Sequence, residues 1–341
     1  MPIETHVFAA GAYRKAKDVF VKDGGVWRDL KEIWVNDQGV WRKVFTKFFE
    51  FNADISGLNY NLRNAVMATG QWDGVTPVLA NLRVVGNLGS QPPAVPAHNG
   101  SDTDHNQLRR QRMADYVNYP AFDSGSLPAS SEINLTVMPG VYLVGAGGVG
   151  GHMYHTTNVS YKDNQQLDVF SYMFENGGPG SPAIRTTVLT RITNNGVIGG
   201  GGGGGAGAIG AVSLTYWNGK KFNSFTQGGM GGGGAGYVGG QVDVIDPTYD
   251  YDGNVCYSNP GTLTTGGSGG GVWIVNGGAS GTRGGNGGAL GQKGGDGGSQ
   301  LPLDISGFPR HIRYGGEAGK AVIGSSNVVW QAYGDVRGPL A

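Results

Sequence analysis

Two segments near the start of the chain carry the same order of apolar and polar positions. Lys17-Asp-Val-Phe-Val-Lys-Asp-Gly-Gly-Val-Trp-Arg28 is followed by Lys31-Glu-Ile-Trp-Val-Asn-Asp-Gln-Gly-Val-Trp-Arg42, and a fainter copy precedes them with Val7, Gly11, Tyr13 and Arg14 in the same register. In each clear copy β-forming residues flank a turn: Val19, Phe20 and Val21 before Asp23-Gly24-Gly25, then Val26-Trp27-Arg28. Asp-Gly between β-formers is a hairpin signal, because glycine takes the positive φ of a tight turn. Trp27 and Trp41 recur at one point of the repeat, which predicts that they stack on one face of a small meander. Two or three hairpins bury little surface. The module, residues 1–50, is therefore expected to dock on a partner, with Trp27 and Trp41 as candidate attachment residues. A small self-standing β-domain is the alternative.

Residues 51–135 read as a small mixed connecting domain. Asn59 to Ala68 is the best helix candidate, with Asn59 or Asn61 as its cap and Gly70 as its stop. Leu79 to Val85 reads as a strand, and Ser90 to Asp104, rich in Pro, Gly, Ser and Asp, as a loop. Leu108 to Tyr119 holds Arg109, Arg110 and Arg112, which on one short helix read as a solvated face or as ion-pair partners before a basic patch.

From residue 136 to 341 the pattern changes to short apolar runs separated by glycine: Val141–Val144, Val188–Ile192, Val212–Trp217, Val272–Val275 and Val328–Trp330. Positions 285, 288, 291, 294 and 297 are all glycine, as are 201, 204, 207 and 210, and 228, 231 and 234. A period of three is neither helical nor strand-like. It belongs to an extended left-handed helix of the polyproline II type, which has no internal hydrogen bonds. Buried, its backbone groups must pair with something else, and glycine lets neighbouring helices approach until their main chains bond. The expected fold class is thus mainly β with irregular structure and little α: an N-terminal hairpin module and a C-terminal body of packed polyglycine II-type helices and short strands. A flexible linker is the bland alternative, but Ile209, Met230, Tyr237 and Trp273 interleave with the glycine. Collagen fails, because almost no proline fills the gaps.

Composition narrows the classes. Glycine accounts for 66 of 341 residues, where the usual share is about 7%. Lys plus Arg number 25 and Asp plus Glu 25, so there is no basic excess to suit nucleic acid. Cys256 is the single cysteine, which excludes an intrachain disulfide or a cysteine zinc site. No signal-peptide pattern opens the chain, and no apolar window approaches the ~20 residues of a membrane-spanning helix; membrane insertion is not expected.

Several motifs invite chemistry and lack its context. Gly145-Ala-Gly147-Gly-Val-Gly150 follows a strand as a dinucleotide fingerprint does, but no helical stripe follows it. His152 and His155 have no acidic neighbour for a metal, and Asp243, Asp246, Asp250 and Asp252 lack EF-hand spacing. Gly315 to Lys320 is one residue short of a phosphate loop. No cofactor, no metal and no catalytic set is expected. Two insertions, 152–174 and 241–264, are polar, aromatic and poor in glycine, a composition suited to recognition loops on a rigid scaffold. Solvated connections are the alternative reading.

Arg191-Ile-Thr-Asn-Asn-Gly-Val-Ile-Gly199 running into polyglycine resembles a signature of bacteriophage tail fibre and adhesin proteins. Gly316 to Trp330 with Gly334-Asp-Val-Arg-Gly338 resembles their closing segment, and Asn59 to Arg63 with Trp72 to Pro77 the region before their glycine-rich part. The resemblance implies a receptor-binding role at the virion tail, with polyglycine helices carrying variable loops that contact the host. On that basis the chain is expected to be a non-enzymatic tail fibre or receptor-binding tip protein, present as a homotrimer or in several copies. Its expected partners are other phage tail proteins and a bacterial surface glycan or outer-membrane protein. Tyr249, Tyr251, Tyr257 and Trp217 are the candidate receptor contacts. The alternatives are a structural tail-tip component that binds only tail proteins, an ice- or surface-binding protein, and a depolymerase.

Overall fold

The computed structural model describes residues 6–9, 12–15, 19–23, 25–30, 32–37, 39–97, 103–152, 156–162, 165–171, 175–208, 212–217, 220–227, 230–242, 258–271, 273–274, 283–298 and 313–341. These residues are mainly β, with few helices. The repeats form hairpins: β1 (His6–Ala9) with β2 (Ala12–Lys15), β3 (Phe20–Asp23) with β4 (Val26–Asp29), and β5 (Glu32–Asp37) with β6 (Val40–Thr46). Gly25 and Gly39 both sit at φ 86° in their turns, a backbone only glycine adopts readily. The expected single meander is not what forms, since each hairpin is a two-stranded sheet of its own. Its faces explain this. Register puts Phe20, Lys22, Trp27 and Asp29 on one side and Val21, Asp23, Val26 and Arg28 on the other. Neither side is apolar enough to cover a neighbour.

From Phe49 the chain builds a stack of parallel strands. β7 (Phe49–Leu58) is followed by β8 (Tyr60–Asn61), α1 (Leu62–Ala68), β9 (Val78–Gly89) and α2 (Thr103–Ala114). Asn61 caps α1, its side chain accepting from the Asn64 amide at 2.9 Å. Asn59 lies before the helix, at φ 48°, and turns the corner. Then come β10 (Phe122–Asp123), β11 (Glu132–Val137) and β12 (Tyr142–Val144). The hairpin of β13 (Thr156–Lys162) and β14 (Gln165–Ser171) intervenes before β15 (Ile184–Arg185), β16 (Leu189–Asn194) and β17 (Val197–Gly199). A longer detour holds β18 (Val212–Trp217), β19 (Lys220–Gln227) and β20 (Trp273–Ile274), and β21 (Val322–Ile323), β22 (Val328–Ala332) and β23 (Asp335–Arg337) close the chain.

Equivalent strands of successive rungs pair in parallel, so equivalent side chains stack. Ala80, Ile133, Thr190 and Val328 form one inward column, and Leu82, Leu135, Ile192 and Trp330 the next. Leu88, Leu143, Ile198 and Val336 form a third. Tyr60, Phe122, Ile184 and Val322 form the column of the short strands, where the Tyr60 and Phe122 rings lie 6.0 Å apart at 12°. Alternation sets the sides: in β11, Ile133, Leu135 and Val137 are buried while Glu132, Asn134 and Thr136 are partly exposed. A boundary expected at 135/136 falls inside β11 and inside one continuous sheet. The Arg191–Gly199 signature is the third rung's corner. Buried Asn194 donates to the Tyr333 and Asp335 carbonyls, both at 3.0 Å, and accepts from the Gly196 amide at 3.1 Å.

Beyond the third strands the tracts 145–151 and 200–208 continue in the same direction, and the glycine tracts bond to one another every third residue. Gly145, Gly148 and Gly151 donate to the carbonyls of Gly199, Gly202 and Gly205. Within the glycine body the tract 200–208 then serves six neighbouring segments. Gly201, Gly204 and Gly207 donate to 175–181; Gly202 and Gly205 donate to 232 and 235; Gly203 and Ala206 donate to 292 and 295. Its carbonyls accept from 145–151, from 285, 288 and 291, and from 316 and 319. A methyl group on Gly201 or Gly204 would overlap the Ala146 or Val149 carbonyl, on Gly202 or Gly205 the Gly288 or Gly285 carbonyl, and on Gly203 the Gly316 carbonyl. All three sides of this tract are therefore closed, which explains the uninterrupted run Gly199–Gly205. The rim tract 283–298 is closed on fewer sides, so Gln292 and Lys293 stand exposed between its glycines. We expect Gly204→Ala to cost at least about 3 kcal/mol, the upper end of overpacking penalties, since a main-chain carbonyl cannot rotate away. Gln292→Ala should stay within about 0.5 kcal/mol, as ordinary surface changes do. Chemical denaturation of the two variants measures both.

Candidate binding surface

The hydrogen-bond register shows which tract ends share a level. Described tracts end at 152, 208, 242, 271 and 298 and begin at 175, 230, 258, 283 and 313, with the hairpins β13–β14 and β18–β19 between the first two pairs. Gly151 bonds to Gly205, Gly207 to Glu175, Gly231 to Gly151, Gly150 to Gln241, Gly285 to Ala206, Gly270 to Met230, and Gly297 to Arg313. These tract ends therefore lie at one level of the body. The opposite level holds Gly145, Ser181, Gly199, Gly200 and Gly319, next to the β-stack: Gly145 bonds to Gly199, Gly200 to Arg337, Gly201 to Ser181, and Gly319 to Gly201. Among the described residues two excursions, the hairpins β13–β14 and β18–β19, thus spring from the face turned away from the strands.

The other end of the molecule is fixed by β7. Phe49 pairs with Val78 and Leu58 with Gly89, so the chain enters the stack about 30 Å from the glycine body, at roughly 3.3 Å per residue. The hairpins attach at that entrance. Trp27 and Trp41 are 66% and 64% exposed, with Phe20 and Trp34 also exposed beside them. Lys22 reaches over the Trp27 ring, its Nζ 5.9 Å from the centroid. Trp217 lies in β18, within the second excursion. Tyr249, Tyr251 and Tyr257 lie outside the described residues.

The model of the phage tail fibre adhesin Gp38 family matches residues 49–341, the β-stack and the glycine body together. The chain belongs to the phage tail fibre adhesin Gp38 family. The match starts at the first residue of β7, so the hairpin repeats precede it. The chain is also similar to the solved gp37–gp38 adhesin tip complex of the long tail fibre of bacteriophage S16, at 22% identity over 87% of this chain and 83% of that one, with a TM-score of 0.41. No curated protein matches it.

In this adhesin the first excursion is rooted on a buried ion pair that sequence reading did not single out. Arg109, on α2, is fully buried and points Nε at Glu175 Oε2, 2.9 Å away. It also donates through NH1 to the Pro96 carbonyl at 2.8 Å and through NH2 to the Gly150 carbonyl at 3.4 Å. Arg110 is exposed and Arg112 half-buried, so the two alternatives for this arginine run hold for different residues. Nothing local marks Glu175 as a partner 66 residues away.

Beside the pair, Val95, Met113, Tyr116 and Val149 form a small apolar cluster. Burial pushes the Tyr116 hydroxyl up to about 12 from its ordinary 10.0, with the Arg109 charge pulling weakly the other way. The sign follows: below pH 10 the hydroxyl is neutral in both states, and above it the unfolded chain ionises first. Stability is lost as pH rises from about 10 to about 12. Melting temperatures across that window should fall more steeply in the natural protein than in Tyr116→Phe.

Proposed function

We propose that this adhesin binds the bacterial surface with the excursions at the end of its glycine body while its hairpin module holds it to other phage tail proteins. The observation that carries this reading is the separation of the two ends: excursions root on one face of the glycine body, and the hairpins join at the far end of β7. The glycine tracts act as polyglycine II helices, with three residues per turn and all main-chain bonds made between helices. Such a bundle holds loop roots at fixed spacing, which lowers the ordering cost that flexible loops incur on binding. The binding is non-enzymatic.

The receptor class is a surface glycan or an outer-membrane protein. Tyr249, Tyr251, Tyr257 and Trp217 supply aromatic faces that stack on sugar rings or pack against protein loops. Several copies per particle, or a homotrimer, multiply weak contacts by avidity. Residues 1–50 form the attachment module, with exposed Trp27 and Trp41 as its anchors; aromatic side chains standing in solvent are the usual material of a docking site.

Two experiments separate the ends. Replacing residues 243–257 by a short Gly-Ser link should lower adsorption to host cells at least about tenfold, equivalent to about 1.4 kcal/mol, while particles still carry the protein. Unchanged adsorption would remove those residues from the receptor contact. Trp27→Ala with Trp41→Ala should do the reverse: the purified adhesin still coats host cells, but particles assembled with it lack it on immunoblots. A protein that coats no host cells yet assembles normally would favour the structural tail-component reading.

A further inference from the structure

We infer that Arg109 is a positioning residue for the first excursion, a role that rests on the proposed use of the excursions in host binding. The described part of that excursion is the hairpin of β13 and β14, whose strands pair in register from Thr156–Ser171 to Lys162–Gln165. It leaves the glycine body after His152 and returns at Glu175. The two roots bond to each other, the Glu175 amide donating to the His152 carbonyl at 3.0 Å. The Glu175 carboxylate also accepts from the His152 amide at 3.4 Å and from Arg109 Nε at 2.9 Å. Arg109 reaches the departing strand as well, through the Gly150 carbonyl. One guanidinium from α2 thus holds both roots of the hairpin and ties them to the Pro96 carbonyl, in the segment between β9 and α2.

A glycine tract offers no side chains to stop a root from twisting. Gly150 and Gly151 are otherwise held by main-chain bonds to Gln241, Gly205 and Gly231, and such bonds resist separation better than rotation about the tract axis. A planar, forked donor fixes direction as well as distance, which a lysine or an apolar side chain does not. A charge pair with side chains only 1% and 4% exposed is also a poor choice if filling space were the sole purpose, since apolar residues of similar volume usually serve as well or better. The arrangement suits a hinge stop: α2, which lies outside the excursion in sequence, sets the angle at which the hairpin is presented.

The test uses the full-length protein and three variants: Arg109→Met, Arg109→Lys and Glu175→Gln. Hydrogen exchange followed by mass spectrometry reports the hairpin amides of 156–171 separately from those of the stack, 78–89 and 132–137. Arg109→Met should speed hairpin exchange at least tenfold and leave the stack unchanged, with Arg109→Lys between it and the natural protein. Glu175→Gln keeps the shape and loses the charge; it carries the test if Arg109→Met does not fold, and it should show the same local loss. Equal acceleration in hairpin and stack, or no acceleration in either, overturns the assignment. Adsorption to host cells is scored in parallel. A loosened hairpin with full adsorption supports the brace and removes this hairpin from the receptor contact, so the two readings fail separately.

Discussion

Everything in this molecule depends on pairing main-chain amides that have no partner in their own segment. An extended chain leaves each N–H and C=O open, and an unpaired buried backbone group costs about as much as a lost hydrogen bond. The β-stack answers with parallel ladders between rungs, and the glycine body answers with bonds to several neighbours in turn. The two solutions share a direction. Val144 ends a strand of the stack and Gly145 begins a tract, and Gly199 serves as the last ladder position and the first tract acceptor. The stack therefore seeds the body, aligning tracts that could not choose a register by themselves.

The price of close approach is side-chain volume, and it explains the composition. Tract 200–208 meets six segments, so it has no side left for anything beyond alanine. Rim tracts keep one or two sides free, and there Asn286, Gln292 and Lys293 appear between glycines. Where a larger residue is buried in the body it fills space at a tract end: Leu290 packs with Val144 and Ala235 at the turn of tract 283–298. Glycine content is thus a map of how many neighbours each segment has.

That map was legible in the sequence, because a three-residue period survives without knowing which segments touch. The hairpins were legible for a similar reason, as their pairing is local and repeated, and position alone narrowed the helix cap to Asn59 or Asn61, of which Asn61 serves. The stack was not. β7 and β11 both alternate, with Phe49, Phe51, Ala53 and Ile55 in one and Ile133, Leu135 and Val137 in the other, yet each partner strand lies tens of residues away. Alternation without a visible partner reads as connecting sequence, and so a boundary drawn from glycine content cut through β11. The same limit hid Arg109 and Glu175, whose meaning appears only when α2 lies against a glycine tract.

The order in which these parts are made has its own effect. β16 is an open edge until β22 covers it, and tract 200–208 lacks donors for the Gly201 and Gly204 carbonyls until 319 and 316 arrive. More than a hundred residues separate those events on the ribosome. During that interval the nascent chain presents an unpaired parallel strand and a half-built glycine lattice, the kind of exposed edge that recruits other chains. The yield of functional protein is then set by how well that waiting state is shielded during synthesis, a vulnerability that the finished molecule no longer displays.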